Sequence, residues 1–126
     1  MAKLTKGSGE TLPSIMTIQQ VDNNILYASI NLNIVPLTDG TYVWDKLELP
    51  DFALNNIHNA DDDTKYSVLI AHIVKAYYND NQMTAIINNY LLDPADEAFK
   101  NDFNKMQSIR TLAKATAKEI ITNKIF

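Results

Sequence analysis

Two histidines, His58 and His72, are the side chains of this sequence best suited to bind a metal ion. They fall in different predicted elements, and neither has a second histidine one helical turn away, as helical metal motifs require. The nearby run Asp61-Asp62-Asp63 lacks the alternating spacing and the glycine of a calcium-binding loop. We therefore expect no metal site, and we predict that these aspartates cap a helix and carry solvated charge.

Nucleophilic catalysis finds equally little support. The chain has no cysteine, no Gly-x-Ser-x-Gly elbow and no glycine-rich phosphate loop. Asp45, Glu48 and Asp51 follow one another closely enough to form a carboxylate pair for acid–base chemistry. Surface charge is the simpler interpretation of these three residues, so the sequence predicts no enzyme and no cofactor.

A basic stripe is formed by Arg110, Lys114 and Lys118, which are spaced four residues apart in the last predicted helix. Such a stripe can contact phosphates. It can equally well complement the helix dipole, since cations are favourable in the C-terminal half of a helix. The sequence pI of about 5.0 argues against nucleic acid as the partner.

Tyr42 and Trp44 lie on one face of a predicted strand, and Val43, Leu47 and Leu49 lie on the other. If the second face is buried under helices, Tyr42 and Trp44 stand exposed side by side, as anchors of a protein interface do. The alternatives are a sheet covered on both faces, or helices that cover the Trp44 face. The candidate interaction residues are therefore Tyr42, Trp44, Arg110, Lys114 and Lys118.

Composition limits the class of protein. The chain has 126 residues, 46% of them hydrophobic and 21% charged, with a net charge of −4, as in an ordinary globular domain. Its longest apolar runs, such as residues 68–71, are far shorter than the roughly 20 residues that span a bilayer, and residues 1–10 do not resemble a signal peptide. We therefore expect no membrane partner. Because the chain also has no cysteine, we expect a protein that is made and kept in a reducing cytoplasm or assembled into a particle released later.

The chain is predicted to form a flexible N-terminal arm over residues 1–12, which are rich in glycine and polar side chains, and a single α+β domain over residues 13–126. Alternation of apolar and polar residues, best seen from Leu26 to Ile34, predicts a three-stranded antiparallel meander within about residues 14–49. Its apolar face needs a cover of helices.

Helices are predicted over about residues 62–78, 82–92 and 94–123 from apolar residues at three-and-four spacing. Asp93-Pro94 predicts the start of the last helix, with Asp93 as the N-cap. That helix is longer than a compact domain of this size needs, so we expect its far, C-terminal end to project or to meet a partner.

Several short segments resemble short uncharacterised proteins of tailed phages and prophages of gut bacteria. The segments are Ile34-Val35-Pro36, Tyr42-Val43-Trp44, residues 47–50, 85–93 and 103–107, then Arg110, Ala113-Lys114 and Ala117-Lys118. These are packing and capping residues, and the family brings no activity to named positions. The resemblance implies a viral setting, in which small non-enzymatic proteins serve as virion components, assembly factors or inhibitors of host proteins.

The sequence thus leads to one main hypothesis and one alternative. The main one is a non-enzymatic, phage-derived structural or virion-assembly protein that acts through contacts with other virion proteins or with copies of itself. The alternative is a small phage regulator that binds a host protein or nucleic acid through the basic C-terminal helix.

Overall fold

A computed structural model describes residues 3–22, 24–49 and 55–126 of the chain. It is an antiparallel sheet with three helices, which confirms the α+β class. The predicted number of strands is wrong, because the sheet has four strands in the order β1-β4-β3-β2. The strands are β1 (Lys3–Gly9), β2 (Met16–Val21), β3 (Asn24–Pro36) and β4 (Tyr42–Leu49).

The strand that the sequence analysis missed is β1, which forms where a flexible arm was expected. It pairs with β4 along its whole length, from Lys3 opposite Glu48 to Gly9 opposite Tyr42. An edge strand of this kind is held by backbone hydrogen bonds to one neighbour, so it needs little apolar content of its own. That is why its glycine-rich composition concealed it.

Strand β3 departs from regular alternation at its start. Ala28, Ile30 and Leu32 are buried as predicted, but Leu26 is 51% exposed and Ile25 is buried in its place. In β2, Gln19 pairs with Tyr27 and the next residue, Gln20, pairs with Ile25. Leu26 is therefore an extra residue in β3. A β-bulge of this kind reverses the faces of the residues that precede it.

A second irregularity lies near the other end of β3. Leu32 pairs with Asp45 and Val35 with Val43, so two residues of β3 face one of β4. Asn33 takes the left-handed conformation there, with φ of 51°, which asparagine tolerates better than most residues. The bulge sets the direction of the Asn33 side chain, which contributes to the polar cluster described below.

The helices are α1 (Asp62–Tyr77), α2 (Asp80–Leu92) and α3 (Glu97–Thr122), close to the predicted ranges. The predicted N-cap of α3 is wrong. Asp93 closes α2 through a hydrogen bond from its amide to the Asn89 carbonyl, and Asp96 caps α3 by accepting from the Phe99 amide. Pro94 follows the end of α2, where a residue without an amide hydrogen favours termination.

The core lies between one face of the sheet and the helices α1 and α3. The small side chains Ala113 and Ala117 of α3 are fully buried, together with Ile120, and Phe126 is 9% exposed. This corrects the expectation that the C-terminal end of α3 projects: that half of the helix packs in the core. The buried apolar residues are Met16, Ile25, Ala28, Ile30, Leu32, Leu47, Leu49, Leu69, Ile73, Val74, Ala113, Ala117, Ile120 and Phe126.

The half of α3 that extends beyond the core is the N-terminal one. No residue from Glu97 to Lys105 is buried, whereas Met106 is fully buried. Helix α2 runs alongside this half, and the Tyr90 ring stacks on Phe103 with 4.2 Å between ring centroids. Helices α2 and α3 therefore form a hairpin that extends past the core.

Candidate interaction surfaces

The predicted aromatic anchor, Tyr42 with Trp44, lies on the face of the sheet opposite the helices. Leu47 and Leu49 of the same strand are buried on the helix side, as the interpretation of Tyr42 and Trp44 as interface anchors required. Tyr42 and Trp44 are nevertheless only partly exposed. Their role as interface anchors stays a prediction.

Trp44 is shielded by the strand that was not predicted. Gly7 of β1 lies directly opposite Trp44. A Cβ atom placed on Gly7 would overlap the indole ring, so the ring lies over the bare glycine backbone. The indole nitrogen is buried and makes no hydrogen bond within the described residues. Trp44 thus secures β1 to β4 and is less suited to be an interface anchor.

A buried carboxylate, Asp45, is the centre of a polar cluster at one end of the core. Asp45 is 7% exposed and lies on the same face of β4 as Leu47. Its Oδ2 atom accepts hydrogen bonds from the Tyr77 hydroxyl at 2.7 Å and from Asn33 Nδ2 at 3.1 Å. Its Oδ1 atom accepts from the ammonium group of Lys6, whose side chain is 85% exposed.

The electrostatics of this cluster follow from its geometry. Burial alone would raise the pKa of Asp45, but hydrogen bonds from Lys6, Tyr77 and Asn33 outweigh that effect and hold the pKa below its ordinary value. Burial, followed by the hydrogen bond to Asp45, raises the pKa of Tyr77. Asp45 is therefore an ionised, fully hydrogen-bonded anion that ties together β1, β3, β4 and the end of α1.

The acid–base role considered for Asp45 depends on the lone pairs that its carboxylate has free. Both oxygens of Asp45 already accept hydrogen bonds, which leaves little capacity to take a proton from a substrate. Of the carboxylates considered in the sequence, Asp45 and Glu48 do not come together. Glu48 lies on the opposite face, 3.8 Å from Lys46, and Asp51 lies outside the described residues. A groove of about 500 Å³ beside Asp45 is bordered by Val35 and Val43.

All three residues of the basic stripe are exposed. They do not share one environment. Arg110 borders a groove between the helices, and Lys118 borders a shallow depression together with Asp62 and Asp63. These neighbouring carboxylates reduce the positive potential at the C-terminal end of the stripe.

The histidines are placed in the fold without a metal-binding arrangement. His58 stacks on Phe126 with 5.9 Å between centroids, and its Nε2 lies 3.3 Å from the Gln20 amide nitrogen. Burial, with a smaller effect of Lys75, lowers the pKa of His72. Across residues 3–22, 24–49 and 55–126, no three histidine or carboxylate side chains gather where they could hold a metal ion.

The surface that the sequence analysis did not single out is the tip of the α2–α3 hairpin. Leu91 is 74% exposed and Leu92 is 83% exposed, the two highest values among the large apolar side chains described. The available signal was the step of four from Met83 through Ile87 to Leu91, which continues the apolar side of α2 to its end.

A groove of about 510 Å³ lies where the three helices meet. Its apolar lining includes Ile70 and Val74 of α1 and Met83 and Ile87 of α2. Lys75 and Arg110 are the cations that border it. We call this the helical groove.

Comparison with known proteins does not extend these observations. No protein-family model matches the chain, and neither curated proteins nor solved structures yielded a match. Among the helices described, none combines the length and the apolar character needed to cross a membrane.

The packing of Trp44 on Gly7 predicts that these two positions are coupled. Gly7→Ala should lower the free energy of unfolding by about 1–3 kcal/mol, because the added methyl group displaces the indole. Gly9→Ala is the matched control, because its Cβ would lie 3.5 Å from the indole ring, an ordinary contact. Its loss of unfolding free energy should be about 0.5 kcal/mol. Urea unfolding measures both values. Fluorescence of the only tryptophan should shift to the red in Gly7→Ala alone. Equal behaviour of the two variants would contradict this packing.

The Asp45 cluster predicts a stability that depends on pH. Because the pKa of Asp45 is lowered in the fold from 3.8, its ionised form stabilises the fold above that value, and this contribution is lost as the pH falls through the folded pKa. Tyr77→Phe removes one donor and should cost about 1–2 kcal/mol at neutral pH. In acid, where Asp45 becomes protonated, the difference in unfolding free energy between Tyr77→Phe and the wild type should become smaller.

The control for this prediction is Tyr78→Phe, because the Tyr78 hydroxyl makes no hydrogen bond to the described part of the chain. From neutral to acid pH, where the Tyr78 hydroxyl stays protonated, this variant should unfold like the wild type. The loss of unfolding free energy in Tyr77→Phe could instead stay constant from neutral pH to pH ~3, below the ordinary aspartate pKa. That result would show that the loss does not come from the hydrogen bond to Asp45.

Proposed function

We propose that this chain is a non-enzymatic, phage-derived structural or virion-assembly protein that acts through protein–protein contacts. The resemblance of its sequence segments supports the viral setting. The observation that carries the proposal of a contact function is the exposed leucine pair, Leu91 and Leu92, at the tip of the α2–α3 hairpin.

Adjacent exposed leucines are unfavourable unless something covers them. Full burial of one leucine side chain contributes roughly 1.5–3 kcal/mol relative to exposure, and contiguous exposed apolar surface is typical of interaction sites. In this chain the two leucines lie at the end of a helix whose other large apolar residues are partly buried. A partner that covered the tip would therefore gain binding energy from both.

The hairpin holds these leucines in a defined position. Asn79 and Gln82 form a capping box at the start of α2, and Asp96 caps α3. Tyr90 stacks on Phe103 near the tip, and Met106 is fully buried further along. Because the contact surface is already ordered, binding costs less conformational entropy than it would for a flexible loop.

The second candidate is a regulator that uses the basic stripe. The exposure of Arg110, Lys114 and Lys118 along α3 favours it. The carboxylates of Asp62 and Asp63 beside Lys118 and the overall charge of −4 weaken it. We therefore rank it below the contact function of the hairpin.

The main proposal predicts that the leucine pair is needed for assembly. Leu91→Ser with Leu92→Ser should leave the unfolding free energy within about 0.5 kcal/mol of the wild type, since both side chains are exposed. The variant chain should be lost from purified phage particles, as measured by mass spectrometry of particles made with variant or wild-type protein. Leu12→Ser is the control, because Leu12 is 61% exposed outside the hairpin. Wild-type protein absent from particles and from assembly intermediates would contradict the proposal.

The second candidate predicts a different outcome. Lys114→Glu with Lys118→Glu should weaken binding of duplex DNA or RNA by tenfold or more and reduce its salt dependence, because two phosphate contacts are lost. Fluorescence anisotropy with labelled duplexes measures this. The variant leaves Arg110 and the hairpin tip unchanged. Wild-type protein that binds no duplex at low salt would remove nucleic acid from the candidate partners.

A further inference from the structure

The helical groove is a partly apolar surface whose lining is distinct from the leucine pair. Ile70 and Val74 of α1 face Met83 and Ile87 of α2 across it, and its volume of about 510 Å³ lies within the usual range for binding pockets. Its charged border consists of Lys75, Arg110 and Asp80, so cations predominate. Arg110 makes no ion pair with any carboxylate of the described residues.

The hairpin tip has the opposite charge. Asp93, Asp96 and Glu97 follow the leucine pair directly, and no lysine or arginine occurs from Asn88 to Phe99. Asp93 and Glu97 are exposed. The tip is therefore an apolar pair with an acidic border, and the groove is an apolar depression with a mainly basic border.

The tip cannot reach the groove of its own chain. Ile87, in the groove lining, and Leu91, at the tip, lie one turn apart on the same helix α2. That helix is capped at its start and packed on α3, so it cannot fold back on itself. Complementarity between the two surfaces can be satisfied only between different molecules.

We infer that Leu91 and Leu92 of one copy of this chain dock into the helical groove of a second copy, with Asp93 and Glu97 of the tip facing Arg110 and Lys75 of the groove. The inference rests on the proposed function and identifies the partner as the chain itself. Because tip and groove are different surfaces, the contact joins unlike patches. If two copies dock into each other, the contact gives a closed dimer. If each copy docks into a third, the contact gives a ring or an open filament.

The docking has a defined energetic character. Burial of the leucines supplies most of the affinity, and each leucine truncated to serine should weaken association by roughly tenfold or more. The charged borders orient the tip and accelerate encounter, so association should weaken as salt increases.

A complementation experiment tests this inference. The tip variant carries Leu91→Ser and Leu92→Ser, and keeps an intact groove. The groove variant carries Ala71→Glu and Arg110→Glu, two exposed positions that line the groove, and keeps an intact tip. Light scattering over a wide concentration range gives the mass of the wild type, of each variant and of their equimolar mixture, and circular dichroism verifies that each variant is folded.

The expected result is a wild-type protein that associates, two variants that stay monomeric, and a mixture that forms a complex with the mass of two chains and no more. This last result is specific, because the mixture has a single functional tip and a single functional groove. Arg110→Glu alone should weaken association and reduce its dependence on salt, and it serves as a milder groove variant if the double one unfolds.

A wild-type protein that remains monomeric at every concentration overturns the inference, and so does a mixture that does not form the two-chain complex. These outcomes do not decide the proposed function. If the protein is monomeric alone but the leucine pair is still required for incorporation into particles, another virion protein covers the tip. If incorporation is also independent of the leucines, the proposed function fails as well.

Discussion

Burial of one face of a four-stranded sheet is the constraint on which the rest of this structure depends. The sheet is short, and α1 with the C-terminal half of α3 is sufficient to cover it. Ala113 and Ala117 let α3 approach the sheet closely, and Ile120 and Phe126 complete the contact. Helix α3 has 26 residues, about 39 Å at 1.5 Å per residue, so it is longer than the surface it covers. The surplus half extends past the core, and α2 packs on it to form the hairpin.

The edge of the sheet is secured by two interactions of different kinds. Trp44 lies over Gly7, where the absence of a side chain leaves room for an indole. Lys6 reaches the buried carboxylate of Asp45, which also accepts from Tyr77 and Asn33. Together they attach β1 to β4 and connect β4 to the end of α1. Trp44, an interaction candidate in the sequence, and Asp45, an acid–base candidate, thus both hold this edge of the sheet together.

The surfaces that remain for function are those that the core does not need. The sheet face without helices is mostly polar, with Thr17, Ser29 and Asn31 among its residues. The hydroxyls of Thr17 and Ser29 hydrogen-bond to each other. The hairpin tip combines exposed apolar area with an acidic border, and the helical groove combines an apolar lining with a mainly basic border. The tip results from the excess length of α3, whereas the groove forms where α1 and α2 meet beside Arg110 of α3.

The sequence by itself determined the α+β class, strands β2, β3 and β4, and the three helices to within a few residues, because these depend on local periodicity and capping. It did not reveal β1, whose pairing depends on a partner strand more than thirty residues away. It also placed Leu26 on the wrong face and Asp93 at the wrong cap, because bulges and helix ends are chosen by tertiary contacts. Which end of α3 projects, and whether Trp44 is exposed, could not be decided from spacing. Those features depend on which surfaces meet, and only the packed chain settles that.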